Sequence, residues 1–205
     1  MIGIVDYGAG NLASVHNAFV HLGFDNMVCR DPSELDVCDR IILPGVGSFR
    51  MAMELLNEQG WTMALHQQAS AGKPLLGICL GMHLLFEMGE EHGPTKGIGI
   101  LPGTVSRLAP GAPCRVPHVG WNSLTYLRQH PLLAGIKPLV DFYFVHSYHC
   151  VPDDLTHVVA HCDYGGNFVA VVCRNNVVGM QFHPEKSQPS GMRILENFAD
   201  WTPVC

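Results

Sequence analysis

The 205-residue chain has few charged residues and no cluster of basic ones. Asp, Glu, Lys and Arg make up 15% of the sequence, against about 25% in a typical soluble protein, and the formal net charge is −6. Lysine and arginine never form a run, so we expect no dedicated nucleic-acid-binding module. Hydrophobic residues make up 47% of the chain, which is enough for a sizeable core and argues against intrinsic disorder.

Long apolar runs and targeting signals are also missing. No apolar stretch approaches 18 residues, so we predict no membrane span. The opening MIGIVDYGAG has neither the basic residues nor the cleavage site of a signal peptide. The eight cysteines, of which Cys205 is the last, form no C-x-x-C pair, which excludes a local zinc or thioredoxin-type motif. We therefore predict a reduced, cytoplasmic protein without a metal or other cofactor.

Two kinds of pattern follow one another along the chain. The first half alternates short apolar strands (residues 2–5, 27–29, 40–43 and 73–78) with helices (11–22, 49–71 with a break near Gly60, and 80–88). The second half has short β-prone runs (142–145, 157–160, 168–173 and 177–182) and a closing amphipathic helix (192–201). These patterns predict one α/β domain over residues 1–205, with a mainly parallel sheet, helices on both faces and an antiparallel β portion in the second half.

The sequence Gly77-Ile78-Cys79-Leu80-Gly81 lies between an apolar strand and an apolar helix. This is the pattern of a nucleophile elbow, with cysteine in place of serine. Glycines two residues to either side relieve clashes in such a strained turn, and a helix N-terminus favours the thiolate. The N–H of Leu80 is placed to stabilise an oxyanion. An isolated cysteine in a glycine-rich turn is more often structural, but the spacing and flanking elements favour a nucleophile here.

A thiolate nucleophile needs a base, and the base needs a group that orients it. The chain has 12 histidines, and the setting of His183 distinguishes it from the others. His183 ends an apolar strand and precedes a proline, which keeps it extended. Because residues i and i+2 of an extended chain face the same way, Glu185 can lie beside it. We predict a Cys79–His183–Glu185 triad, although a surface His-Pro-Glu turn would explain the last two residues alone.

Two glycine-rich segments allow further interpretations. Pro44-Gly45-Val46-Gly47 follows the third strand and can bring a second oxyanion N–H close to a ligand, or can be a plain turn. Gly8-Ala9-Gly10-Asn11-Leu12-Ala13 follows the first strand and fits the G-x-G-x-x-G/A pattern of a dinucleotide-binding module. No clear acidic residue ends the second predicted strand, so this alternative depends on the glycines alone.

Several segments together resemble the class I (triad) glutamine amidotransferases over essentially the whole chain. The elbow and His183-Pro184-Glu185 are typical of the class. Further segments resemble one branch of it, whose members supply ammonia to a cyclase of histidine biosynthesis: residues 4–12, 43–47, 77–86, 116–122, 143–148 and 181–187. The resemblance implies a flavodoxin-like amidotransferase fold. It also implies hydrolysis of L-glutamine through a thioester on Cys79, with His183 as general base and acid and Glu185 orienting it.

The resemblance also implies a partner and further site residues. The partner is a (β/α)8-barrel cyclase that forms imidazole glycerol phosphate and AICAR. By family position, the residues expected at the oxyanion or the substrate are Gly45, Val46, Gly47, Leu80, His83, His146, Ser147 and Tyr148, and those facing the cyclase are Asn11, Trp121 and Lys186. His83 departs from the pattern, because the family usually has a substrate-contacting glutamine there. Two alternatives stay open: a paralogue that feeds ammonia to a barrel making an amidino sugar, and an inactive structural subunit.

Overall fold

The computed structural model describes residues 1–203, so Cys205 lies outside the described residues. The strands are Ile2–Val5 (β1), Asn26–Cys29 (β2), Arg40–Gly45 (β3), Leu75–Cys79 (β4), Phe86–Gly89 (β5), Thr95–Lys96 (β6), Leu101–Arg107 (β7), His118–Ser123 (β8), Thr125–Tyr126 (β9), Asp141–His146 (β10), Tyr148–Pro152 (β11), Val158–Asp163 (β12), Asn167–Arg174 (β13) and Val177–Met180 (β14). The α-helices are Leu12–His21 (α1), Phe49–Glu58 (α2), Trp61–Ser70 (α3), Leu80–Leu84 (α4) and Gln188–Asp200 (α5). None of the helices within residues 1–203 is both long and apolar enough to cross a membrane.

The main sheet has eight strands in the order β2-β1-β3-β4-β14-β13-β12-β9. The five strands from β2 to β14 are parallel to their neighbours, and β13, β12 and β9 are added to them in antiparallel fashion. Two smaller sheets, β10-β8 and β11-β7-β5-β6, are formed by the middle of the chain. The predicted fold class, a mainly parallel α/β sheet with an antiparallel portion in the second half, is confirmed.

Two apolar clusters cover the two faces of the parallel sheet. Side chains along each strand alternate between them, so that Ile42 of β3 joins one cluster while Ile41 and Leu43 join the other. The first cluster includes α1 and α5, and the second includes α2, α3 and α4. Strands buried on both faces are continuously apolar, which is why β1 and β4 appear in the sequence as short unbroken hydrophobic runs.

The structure differs from the sequence prediction at two helices. The helix predicted over residues 80–88 ends at Leu84, and Phe86–Gly89 forms strand β5 instead. That strand pairs with β7, a contact that a local pattern does not encode. The closing helix begins at Gln188 rather than at residue 192. The break near Gly60 is confirmed, because Gly60 adopts φ 81°, a left-handed conformation that separates α2 from α3.

Candidate active site

Cys79 is the last residue of β4, and its backbone is strained. Its φ of 54° and ψ of −112° are rare for a residue with a side chain, and such conformations cluster at functional sites. The chain turns there directly into α4. A Cβ atom at Gly77 would lie 2.6 Å from the carbonyl oxygen of Gly81, and a Cβ atom at Gly81 would overlap the carbonyl oxygen of Leu43. Both flanking glycines are therefore required by close packing, as the elbow pattern predicts.

His183 follows strand β14, which lies beside β4 and runs parallel to it. The carboxyl ends of these two strands meet at one edge of the sheet, so His183 and Cys79 line the same cavity. The ring nitrogen Nδ1 of His183 donates to Oε1 of Glu185 at 2.8 Å. The side chains of His183 and Glu185 are 2% and 1% exposed, so their charges interact in a largely water-free setting. The structure thus brings together the three residues predicted to form a triad.

The environment of His183 favours its protonated form. Burial by itself lowers the pKa of His183, but the Cys79 sulfur and the Glu185 carboxylate outweigh burial and raise the pKa to about 9. Nε2 of the ring is buried and makes no hydrogen bond within residues 1–203, although the Cys79 sulfur lies near it. This nitrogen is therefore free to take the thiol proton and to pass it on, which is what a general base and acid requires.

The Pro44–Gly47 segment packs against the elbow. Gly45 pairs in register with Cys79, and a Cβ atom at Gly45 would lie 2.7 Å from the backbone nitrogen of Gly81. Gly47 has φ 101°, so the chain leaves β3 in a conformation that favours glycine. Leu80, as the first residue of α4, has no intrahelical acceptor for its N–H. The loop after β3 therefore packs directly against the start of α4, and both segments line the cavity at Cys79.

A cavity of 360 Å³ opens in front of Cys79. Its size lies within the roughly 300–1,000 Å³ range of small-molecule sites. Among the predicted site residues, Val46, Gly47, Leu80, His83, His146, Ser147 and Tyr148 line it together with Cys79 and His183. Gly45 lies behind the lining, against the elbow. The acidic residues of the lining are Glu90 and Glu91, and Oε2 of Glu91 accepts a hydrogen bond from the backbone nitrogen of Phe49 at 2.7 Å.

Two buried histidines, His118 and His146, hydrogen-bond to each other, and His146 lines the cavity. Nδ1 of His146 donates to the carbonyl oxygen of Tyr148 at 2.8 Å, which leaves Nε2 of His146 to accept from Nδ1 of His118 at 3.0 Å. The His118 ring stacks between those of Phe144 and Tyr164. Burial lowers the pKa of His118 to about 4 and that of His146 to about 3, so both rings are neutral at pH 7.

His83 lies one helical turn beyond Cys79, as predicted, and it has a protein partner. Its Nε2 lies 2.7 Å from Oε1 of Gln181, a fully buried residue. Nε2 of Gln181 in turn donates to the Cys79 sulfur at 3.9 Å. Burial lowers the pKa of His83 to about 4. His83 also lines the cavity, so it can still reach a substrate. A hydrogen bond from His83 to substrate stays a prediction.

The residues predicted to face a partner lie on neighbouring elements of the structure. The Trp121 ring packs edge-on against Tyr143, with 5.7 Å between centroids, and Nζ of Lys186 lies 5.8 Å from the Tyr143 centroid. Asn11 precedes α1, and its side chain makes no capping hydrogen bond. Helix α1 packs against the 3-10 turn that holds Lys186. The structure thus joins Trp121 to Lys186 through Tyr143, with Asn11 on a neighbouring element.

Sequence reasoning missed Gln181, His118 and the two glutamates as members of the site. Gln181 precedes His183 by two residues, so the alternation of an extended chain could have placed its side chain on the same side. For Glu90 and Glu91 the sequence offers no such signal, because they follow β5, which was predicted to be helical.

Comparison with known proteins identifies the family of the chain. The family described as Glutamine amidotransferase class-I matches residues 3–201, and the chain belongs to this family. The chain is 51% identical over 201 residues to imidazole glycerol phosphate synthase subunit HisH of Desulfitobacterium hafniense strain DSM 10664 / DCB-2, covering 98% of this chain and 94% of that protein. It is 50% identical to the subunit of the same name from Geobacillus kaustophilus strain HTA426, covering 97% and 95%. The predicted enzyme class, glutamine amidotransferase, is confirmed.

Solved structures share the fold at lower identity. The structure of PurLQS from Thermotoga maritima matches with a TM-score of 0.77 at 20% identity, covering 97% of both chains. A glutamine amidotransferase crystal structure matches with a TM-score of 0.73 at 21% identity over the same shares. Family membership also leaves the dinucleotide-binding hypothesis without support, because its glycines belong to the β1–α1 turn of an amidotransferase fold.

Proposed function

We propose that this chain is the glutaminase subunit of an imidazole glycerol phosphate synthase. In this proposal it hydrolyses L-glutamine and supplies ammonia to a (β/α)8-barrel cyclase in the cytoplasm. The observation that carries the proposal is the buried Cys79–His183–Glu185 arrangement at the base of a substrate-sized cavity. The identity of about 50% to HisH subunits over nearly the whole chain supports the choice of pathway. The free thiols of the described cysteines fit a reducing compartment.

The first half of the reaction transfers the glutamyl group to sulfur. His183 takes the proton of Cys79, and the thiolate attacks the side-chain carbonyl carbon of glutamine, forming a C–S bond. The carbonyl oxygen becomes an oxyanion, which backbone N–H groups of Leu80 and the Pro44–Gly47 segment are placed to receive. The C–N bond then breaks, and His183 gives its proton to the leaving nitrogen, which departs as ammonia.

The second half releases glutamate. His183 takes a proton from water, and the resulting hydroxide attacks the thioester carbonyl. The C–S bond breaks and glutamate leaves, which restores the Cys79 thiolate beside a protonated His183. Throughout both halves, Glu185 holds Nδ1 of the ring at 2.8 Å and keeps Nε2 directed toward the sulfur.

The cavity lining also suits the other end of glutamine. Glu90 and Glu91 place carboxylates where the α-ammonium group of an amino acid needs a counter-charge. The segment from His146 to Tyr148 supplies backbone groups and the hydroxyls of Ser147 and Tyr148 to the lining. An amino acid with an uncharged side-chain amide therefore fits this lining better than an anionic substrate.

The exposed apolar face of β8 and β10 is the proposed docking surface for the cyclase. Val119, Trp121 and Val145 are 55%, 46% and 37% exposed on this face. Large exposed aromatic and aliphatic side chains on one face are typical of an interface core. Lys186 adds a charge beside it, and Asn11 precedes helix α1, which packs against the turn that holds Lys186.

The proposal is tested with glutamine labelled with ¹⁵N in its side-chain amide. Glutamate release is measured with the chain alone, with the cyclase, and with the cyclase and its phosphosugar ligand. We expect slow hydrolysis by the isolated chain, because a glycine-rich loop can hold one oxyanion N–H away, and a missing donor costs about 10²–10³-fold. In the full system the label should enter the imidazole product.

Two results would contradict the proposal. One is no glutamate release in the full system, and the other is full release by a Cys79→Ala variant. Ammonia release together with transfer of the label only by a barrel that makes an amidino sugar would assign the chain to the paralogous pathway instead.

A further inference from the structure

The Cys79 sulfur, which lies near His183, makes two hydrogen-bond contacts with other groups. Its S–H lies 3.8 Å from the carbonyl oxygen of Val145 and can donate to it, and Nε2 of Gln181 donates to the sulfur at 3.9 Å. When the thiol loses its proton, the contact with Val145 no longer has a donor, and a carbonyl oxygen then faces a negative charge. The contact with Gln181 remains and becomes a charge-assisted hydrogen bond.

The Gln181 side chain is held in the orientation that this contact requires. It is fully buried, and an amide that could turn would present either its oxygen or its nitrogen to the sulfur. His83 holds one end of the amide, because its Nε2 lies 2.7 Å from Oε1 of Gln181. An amide oxygen only accepts, so Nε2 of the neutral His83 ring carries the proton and donates in this arrangement. The amide nitrogen then faces Cys79.

We propose that Gln181 is a further catalytic residue, which donates a hydrogen bond to the Cys79 thiolate, and that His83 is a positioning residue which fixes the Gln181 amide. The inference rests on the proposed role of Cys79 as nucleophile. It gives His83 a function in this chain that differs from direct binding of substrate.

The pH dependence of Cys79 reactivity distinguishes this role from a merely structural one, because a residue that only supports packing would not change it. The titratable groups that face Cys79 or line its cavity are Tyr7, His83, Glu90, Glu91, His146, Tyr148, Cys150 and His183 with Glu185. The apparent midpoint therefore belongs to a coupled set, chiefly to the pair of Cys79 and His183, and the shift between variants is the informative quantity.

The experiment measures the rate of alkylation of Cys79 by iodoacetamide between pH 5 and pH 10 on the full-length chain. The adduct is quantified by mass spectrometry of the peptide that contains Cys79, which separates it from the other cysteines. Gln181→Met keeps the size of the side chain and removes the donor. We expect its midpoint to rise by about one pH unit, which is about tenfold less thiolate at a fixed pH below the midpoint.

Matched variants separate the two roles. His83→Met should move the midpoint in the same direction by a smaller amount, and His83→Gln should restore the wild-type midpoint because an amide can also donate to Gln181. Gln68→Met is the control, since Gln68 is a buried glutamine on α3 whose amide donates to Asp36 rather than to the site. Its alkylation profile should equal that of the wild type.

A Gln181→Met variant that folds and keeps the wild-type midpoint would overturn the inference. If that variant does not fold, NMR of the wild-type chain decides. The side-chain amide resonance of Gln181 should shift as Cys79 ionises and should lose that shift in Cys79→Ala, and an unchanged resonance in the wild type would overturn the inference. Because alkylation does not depend on glutamine, either result stands apart from a failure of the glutaminase assay.

Discussion

The parallel and antiparallel parts of the molecule bury their strands differently. β1, β4 and β14 are buried at every residue, because helices or neighbouring strands cover both faces. In β10, buried and exposed residues alternate instead, so that its apolar residues face both the core and the outside. The parallel part therefore has little freedom to move, whereas the β8–β10 strand pair keeps an uncovered apolar face.

The two parts of the molecule also supply different residues to the site. Cys79 and His183 come from the carboxyl ends of adjacent parallel strands, which hold them to a fixed separation. Strand β10 and the segment after it supply His146, Ser147 and Tyr148, which line the cavity. A rigid sheet suits chemistry that tolerates little misplacement, and an exposed strand pair suits the proposed role of a docking surface.

The largest effect should follow from changing the nucleophile in the parallel part. Cys79→Ser keeps the shape of the side chain and replaces the thiol with a far weaker nucleophile, so we expect loss of essentially all glutaminase activity. Affinity for the cyclase, measured by titration calorimetry, should stay within about twofold, because the Cys79 side chain lies inside the cavity and not on the exposed β8–β10 face. Activity that survives the change would remove Cys79 from its proposed role.

The next effect should distinguish the base from the residue that orients it. His183→Ala removes both proton transfers and should lower kcat roughly 10²–10⁴-fold. Glu185→Ala leaves the ring in place but free to turn, so its loss of kcat should be clearly smaller. Steady-state kinetics of the complex with the cyclase measure both, and wild-type rates in the two variants would refute the triad.

A smaller effect should follow from a side-chain truncation on the β8–β10 face. Trp121→Ala removes the largest exposed side chain of the β8–β10 face and should weaken cyclase binding about 10- to 100-fold. The matched control is Met63→Ala on α3, where a 75% exposed side chain lies on another element and should be neutral. Equal affinities for Trp121→Ala and the wild type would place the docking surface elsewhere.

The last effect is on stability in acid and leaves activity and binding at neutral pH unchanged. The pKa values of His118 and His146 are lowered to about 4 and about 3 by burial, against about 6.5 in an unfolded chain. The unfolded chain therefore binds these protons first. The contribution of each histidine to the free energy of unfolding is complete above pH 6.5 and is lost as pH falls toward 4, by about 1.4 kcal/mol per pH unit.

Hydrogen exchange followed by mass spectrometry checks where this loss acts. Between pH 6.5 and pH 4.5 the amides of β8 and β10 should lose protection before those of β1, β3 and β4, once rates are corrected for intrinsic pH dependence. Burial of His83 on α4 causes a further loss of stability of the same sign. Strands β1, β3 and β4 themselves contain no histidine. Uniform loss over both parts would contradict the expected division.

The parallel part was largely predictable from local patterns. Short apolar runs predicted β1, β3 and β4, because a strand that is covered on both faces has apolar residues at consecutive positions. The elbow spacing around Cys79 and the extended geometry of His183-Pro184-Glu185 predicted the residues that the structure brings together. These relations span few residues, so the sequence displays them directly.

Relations between distant residues were not predictable in this way. Residues after Leu84 form β5 because they pair with β7, and an apolar run alone favours a helix there equally well. The contact of His83 with Gln181 joins residues that are 98 positions apart, and the chain position of His83 suggested a substrate contact instead. Only the assembled sheet places these partners side by side.

The close packing of the elbow has a consequence for how the enzyme is made. Gly81 lies so tightly against the carbonyl oxygen of Leu43 that the strained turn at Cys79 takes shape against β3. His183 and Glu185 come from near the other end of the chain, after β14 has joined β4. In the proposed mechanism the sulfur therefore acquires its base only after nearly the whole polypeptide has left the ribosome, so we expect nascent chains and fragments that lack β14 to be unable to hydrolyse glutamine.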